Sequence, residues 1–105
     1  DSYEEFAEQH RGVRIYLATT KAPNVYTQKQ YRADDFIMFG KESAGIPEEI
    51  LAHHRDDCIR IPMGPDFRSL NLSNAVAIVL YEALRQQNFC GLQETGQLHH
   101  STYLE

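Results

Sequence analysis

The spacing of apolar positions changes along this chain, and each change marks an element. Tyr3, Phe6 and Ala7 share one face of a short helix. It opens with a capping-box pattern, Ser2 as N-cap and Glu5 three residues on, and ends near Gly12. Val13, Ile15 and Leu17 then alternate with Arg14 and Tyr16, the period-two mark of a strand that runs into Ala18-Thr19-Thr20. Residues 21–34 are polar, contain Pro23 and read as loop, with a short extended piece near Tyr26. Phe36-Ile37-Met38-Phe39 is a continuous apolar run stopped by Gly40, which suits a central strand covered on both faces.

After a loop from Gly40 to Pro47, Pro47 is placed to be the first residue of a helix that ends around His53-His54. Glu48 and Glu49 sit favourably at its positive end. Cys58-Ile59-Arg60-Ile61 is a third short strand, closed by Pro62, and residues 62–71 form another loop. Leu72 to Gln87 carries the clearest helical pattern, with Asn71 or Ser73 as cap. Its apolar residues occupy more than one face, so one side is expected to meet the sheet and the other a second subunit. From Phe89 onward Gly91, Gly96 and scattered polar residues predict irregular structure. Strands alternating with helices over short loops give an α/β domain with a mainly parallel sheet. Three strands are few for such a sheet, and the chain starts at Asp1 almost directly in a helix. Both features read as a domain truncated at its N-terminus, residues 1–105 being its C-terminal part.

The bulk numbers narrow the class. A chain of 105 residues holds one small domain, which buries roughly two-thirds of its unfolded surface and so has a modest core. The formal net charge of −5 argues against a simple polyanion-binding module, while local basic patches remain compatible with an RNA enzyme. Cys58 and Cys90 are too few for a disulfide scaffold and fit a reducing compartment, with Cys58 acting as a small core hydrophobe. Nothing resembles a signal peptide or a membrane span, and the expected location is the cytoplasm.

The candidate chemistry lies in the loops. Thr19-Thr20, Gly40 to Pro47 and Pro62 to Asn71 each follow the C-terminal end of a strand, where open α/β sheets bind ligands. Small residues there (Gly40, Ala44, Gly45, Gly64, Ser69) let a ligand approach the backbone closely. By themselves these loops support a site for a small polar ligand, or ordinary turns. No phosphate-cradling G-x-G-x-x-G or P-loop pattern is present. The adjacent pairs His53-His54 and His99-His100 point apart and make poor metal sites, so no metal is expected.

Phe39-Gly40-Lys41-Glu42-Ser43-Ala44-Gly45-Ile46-Pro47 resembles the second signature motif of the SpoU class of SPOUT methyltransferases. Ile61-Pro62-Met63, followed by Arg68-Ser69-Leu70-Asn71-Leu72-Ser73-Asn74-Ala75, resembles the third. Residues 13–92 are similar nearly throughout to the TrmL-type tRNA (cytidine/uridine-34 2′-O)-methyltransferases, including Thr19-Thr20-Lys21 and Tyr81-Glu82-Ala83-Leu84-Arg85-Gln86. The resemblance implies an α/β fold with a C-terminal trefoil knot, S-adenosyl-L-methionine as cofactor, tRNA as substrate and a homodimer through the helix at 72–87. It also implies cofactor contacts at Ala18, Gly40, Ile61 and Ser69, held mainly through backbone groups, with Thr19, Met63, Leu70 and Asn71 as neighbours. The family's first motif, an Asn- and Arg-containing segment that handles the ribose hydroxyl, has no counterpart in residues 1–105. Glu42 and Ser69 are left as candidates for organising catalysis, and Glu42 equally suits tying loop backbone together. Arg68 suits RNA phosphate as well as a salt bridge to Asp66 or a partner. Lys21, Lys29 and Arg32 suit either a basic edge for tRNA or a solvated loop.

Overall fold

In a computed structural model, residues 2–40, 45–65 and 71–104 are described. Glu42, Asp66, Arg68, Ser69 and Leu70 lie outside them. Helix α1 (Ser2–Gln9) leads into strand β1 (Ile15–Ala18). Strand β2 (Asn24–Val25) runs into a 3₁₀ turn at Tyr26–Gln28, and β3 (Phe36–Phe39) precedes helix α2 (Glu48–Ala52). A second 3₁₀ turn at Arg55–Asp57 introduces β4 (Cys58–Arg60), and α3 spans Leu72–Gln86. All strand pairs are parallel, in the order β2-β4-β1-β3.

The period-two pattern divides the core between the two faces of this sheet. Ile15, Leu17 and Cys58 point to one face and pack with Tyr3, Ile46 and Leu51, which brings in α1 and α2. Tyr16 and Ile59 point to the other, where they pack with Tyr31 and with Val79 of α3. The result is a three-layer α/β/α arrangement. Cys58 is buried with its thiol 3.2 Å from the His54 carbonyl oxygen, in keeping with a core role. His54 is half-buried: its ring packs edge-on against Tyr3, whose hydroxyl lies 3.3 Å from Nε2.

Three sequence expectations are corrected. The sheet has four described strands, not three. The added strand, β2, lies in the polar stretch, pairing Asn24 with Ile59 and Val25 with Arg60, and Asn24 Nδ2 donates to the carbonyls of Arg55 and Cys58, both at 3.1 Å. The apolar run of β3 is an edge strand, not a central one, and Phe36 is partly exposed. A run apolar on both sides reports cover above and below, here from Phe6 on one face and the Tyr16–Val79 cluster on the other, and not how many strands flank it. Pro47 caps α2 rather than forming its first residue, with φ −55° and ψ 137°. Helix α3 buries Val79 against the sheet, as expected, and leaves Val76, Leu80 and Tyr81 exposed on its other side. Its start follows expectation, Asn71 Oδ1 accepting from the Ser73 N–H at 2.9 Å.

The far end of α3 is clamped to the segment before β3. Gln86 accepts from the Tyr31 N–H at 2.8 Å and donates to the Lys29 carbonyl at 2.9 Å, and Gln87 donates to the Tyr31 carbonyl at 2.6 Å. Tyr31 is itself buried and donates its hydroxyl to the Tyr26 carbonyl. Burial, with Tyr16 and Glu82 nearby, pushes its phenol above the ordinary range. Residues 92–104 are exposed and irregular, as the sequence suggests.

Candidate functional site

Because β1, β3 and β4 are parallel neighbours, the loops that leave them emerge on one edge of the sheet. They enclose a cavity of about 470 Å³. Ala18, Thr19, Gly40, Ile61, Met63 and Asn71 all line it. Of the eight expected cofactor contacts, only Ser69 and Leu70 are missing from this set, and both lie outside the described residues.

Each lining segment has a local reason for its shape. Beyond β1 the Thr19 N–H donates to the Ile59 carbonyl at 2.9 Å, which carries the β1–β4 pairing one residue further. The chain then turns, with the Lys21 N–H on Thr19 Oγ1 at 3.2 Å and the Ala22 N–H on the Thr19 carbonyl at 3.3 Å. At the end of β3, a Cβ on Gly40 would overlap the backbone of Gly45 and Ile46. Gly40 is therefore required by the packing of its own loop, and not only by a ligand approaching its backbone. Gly45 has φ +69°, a left-handed conformation that glycine adopts without strain. Across the cavity, α3 contributes Leu72, Ala75 and Val79. Their spacing of three and then four residues forms a single helical stripe.

The lining is chemically mixed. Ile59, Ile61, Leu72, Ala75 and Val79 make one part apolar. Lys21 and Arg60 are the two charged residues among the described lining, which contains no carboxylate. The Lys21 ammonium is hydrogen-bonded to Glu48 Oε2 at the start of α2, and this holds the Glu48 carboxyl below the usual carboxylate range. The sequence leaves Lys21 between a basic edge and a solvated loop, and singles out neither Ile46 nor Arg60 as a site residue. An apolar residue directly after Gly45, and a charge within an otherwise apolar strand, were the available signals.

The histidine pairs stand apart from the cavity lining. His99 and His100 lie in the exposed tail. Among the described residues no group of three or more His, Cys, Asp or Glu could hold a metal ion. No described helix is long and apolar enough to cross a membrane.

An apolar slot fringed by backbone amides and carbonyls suits a planar heteroaromatic ring, and the cationic rim suits an anionic group. Known proteins resemble this chain in sequence and in fold. The chain is 44% identical over 90 residues to the tRNA (cytidine(34)-2′-O)-methyltransferase of Escherichia coli, a match covering 85% of this chain and 57% of that protein. A solved structure described as giving structural insights into the 2-OH methylation of C/U34 on tRNA superposes with a TM-score of 0.76 at 38% identity. It covers 85% of this chain and 58% of that one. The AdoMet-bound rRNA methyltransferase from Sinorhizobium meliloti gives a TM-score of 0.65 at 32% identity, over 78% of this chain and 32% of that one. The chain spans between 51% and 61% of the length of the curated relatives it matches. Residues 1–81 fit the SpoU rRNA Methylase family. With the motifs around Gly40 and Asn71 meeting at one cavity in a parallel α/β fold like that of SPOUT methyltransferases, the chain belongs to the SpoU methylase family.

Proposed function

We propose that residues 1–105 are the cofactor-binding, C-terminal part of a SPOUT domain that methylates the ribose 2′-hydroxyl of the wobble nucleotide, cytidine or uridine 34, of tRNA in the cytoplasm. The observation that carries this reading is the meeting of three strand-end loops at one cavity, six expected contact residues among its lining. Its volume of about 470 Å³ falls within the range of small-molecule sites, roughly 300–1,000 Å³. Ala18, Gly40 and Ile61 would hold S-adenosylmethionine through their backbones, together with Ser69. Thr19, Met63, Leu70 and Asn71 would flank it. The bound cofactor supplies a methyl group on a sulfonium, a good leaving group, so the protein's main task is positioning. Lys29 and Arg32 are exposed or half-buried cations suited to the RNA backbone. The family's first motif has no counterpart in residues 1–105, which leaves Glu42 and Ser69 as the candidates for organising catalysis, and these 105 residues are expected to bind the cofactor with little methyl transfer of their own.

Two further features complete the proposal. Helix α3 threads through the loop that precedes it to form a trefoil knot. The outer face of α3 seats a second copy of the chain. Val76, Leu80 and Tyr81 are 37%, 47% and 57% exposed on a helix whose opposite side is buried, an apolar face of the kind that marks an interface. Calorimetric titration with S-adenosylhomocysteine tests the site directly, and labelled methyl transfer to unmodified tRNA tests the activity. Absence of binding by the folded chain would remove the cofactor reading.

A further inference from the structure

The ion pair of Lys21 with Glu48 has a place in the site that its stability contribution does not explain. Both side chains are exposed, at 57% and 75%, and an exposed pair of this kind adds little to folding. Yet Lys21 lines the cavity and Glu48 does not. The pair therefore parks an ammonium at the rim, on a carboxylate from outside the site. Arg60 also lines the cavity and makes no ion pair among the described residues. No described lining residue supplies the acid that would neutralise these two cations.

We propose that Lys21, with Arg60, is the carboxylate-recognising end of the cavity, and that Glu48 is an internal competitor occupying Lys21 until a ligand carboxylate takes its place. The ligand class is an adenosine derivative bearing an amino-acid tail. The apolar slot takes the base, and the cationic rim takes the carboxylate. Exchange of one exposed carboxylate for another costs little, because the ammonium keeps a charge-assisted hydrogen bond throughout. This inference rests on the cofactor reading given above and adds to it the group that distinguishes the intact amino-acid tail from a truncated nucleoside.

The test compares S-adenosylhomocysteine with 5′-methylthioadenosine, which lacks the amino-acid carboxylate, by calorimetric titration at fixed ionic strength. The wild-type chain is expected to prefer S-adenosylhomocysteine. Lys21→Met should lower that preference about fivefold to tenfold, and Arg60→Gln, an independent variant, should lower it in the same sense. Glu48→Gln should raise the preference about twofold to threefold, because it removes the competitor. Opposite signs at positions 21 and 48 are the signature. If the pair merely straps two loops together, both variants will weaken both ligands alike, and the inference fails. It also fails if Lys21→Met weakens an anticodon stem-loop while the preference stays at the wild-type value, which would assign Lys21 to RNA. Equal affinity of the wild-type chain for both ligands would overturn this inference alone, whereas binding of neither would overturn the cofactor reading with it.

Discussion

Gly40→Ala separates two reasons for a glycine at the end of β3. The variant adds a single methyl group, too small to fill a cavity of about 470 Å³. The added Cβ would nevertheless lie 2.5 Å from Gly45 Cα and closer still to the Gly45 carbonyl carbon and the Ile46 nitrogen, where ordinary contact begins at 3.4 Å. The atoms in the way are backbone, so no rotamer change relieves the overlap, and the segment 45–46 must shift by about an ångström. Overpacking of this order costs about 1–3 kcal/mol. At about 4–8 °C per kcal/mol for a domain near this size, Tm should fall by at least several degrees. Ile46 is a core residue packed near Leu17 and Leu51 and also lines the cavity, so the shift reaches both stability and binding. Affinity for S-adenosylhomocysteine should drop about tenfold, about 1.4 kcal/mol. Gly40→Val should cost little more than Gly40→Ala, since the first methyl group already displaces the loop. Thermal denaturation and calorimetry on the two variants check this. If Gly40→Ala keeps wild-type Tm and affinity while Gly40→Val alone loses binding, ligand crowding and not the Gly45–Ile46 backbone sets the requirement, and the reasoning is refuted.

Leu80→Asp is expected to give folded monomers in sedimentation equilibrium at micromolar concentration, since Leu80 is 47% exposed, while Val79→Asp, at a position 1% exposed, should unfold the chain by burying a charge. A folded monomeric wild-type chain under the same conditions would remove the dimer from the proposal. Asn71→Ala should cost about 0.5–2 kcal/mol by loss of the α3 cap, and Asn71→Asp should retain most of it in thermal denaturation. Burial, then the nearby Asp57, raises the Cys58 thiol above its ordinary value of 9.0, so the unfolded chain ionises first as pH rises. The stability from the protonated thiol is thus complete below about pH 9 and declines above it. In urea titrations Cys58→Ala should lose less stability than wild type as pH rises above about 9.

What was legible in the sequence followed from local periodicity. The alternation of Ile15, Tyr16 and Leu17 gave both the strand and its two buried faces, and the cap at Asn71 followed from side-chain chemistry at a helix start. The site was half legible from spacing, because strand ends and small residues marked the loops, and the motif resemblance supplied the particular contacts. What stayed hidden depends on partners distant in sequence. The sequence suggests only a short extended piece near Tyr26, and Asn24-Val25 becomes a strand because β4 offers an edge, reinforced by Asn24 on the carbonyls of Arg55 and Cys58. The position of β3 at the sheet edge depends on neighbours that its own four residues do not encode. Lys21 meets Glu48 across 27 positions, and periodicity within either loop carries no trace of that meeting.

The clamp of Gln86 and Gln87 on residues 29–31 bears on the order in which the chain folds. Its hydrogen bonds join positions 55 to 57 residues apart. Closing so long a loop carries an entropic cost that rises with the logarithm of its length, on the order of 3–4 kcal/mol before the constant part is added. Three side-chain hydrogen bonds are too small a reward to lead such a closure. The parallel strands and the burial of Val79 must come first, and the clamp fastens afterwards. An interaction made after the rate-limiting barrier slows escape from the native state without hastening entry to it. Removing the Gln86 amide should therefore accelerate unfolding and leave refolding at its original pace, which makes the clamp a source of kinetic persistence.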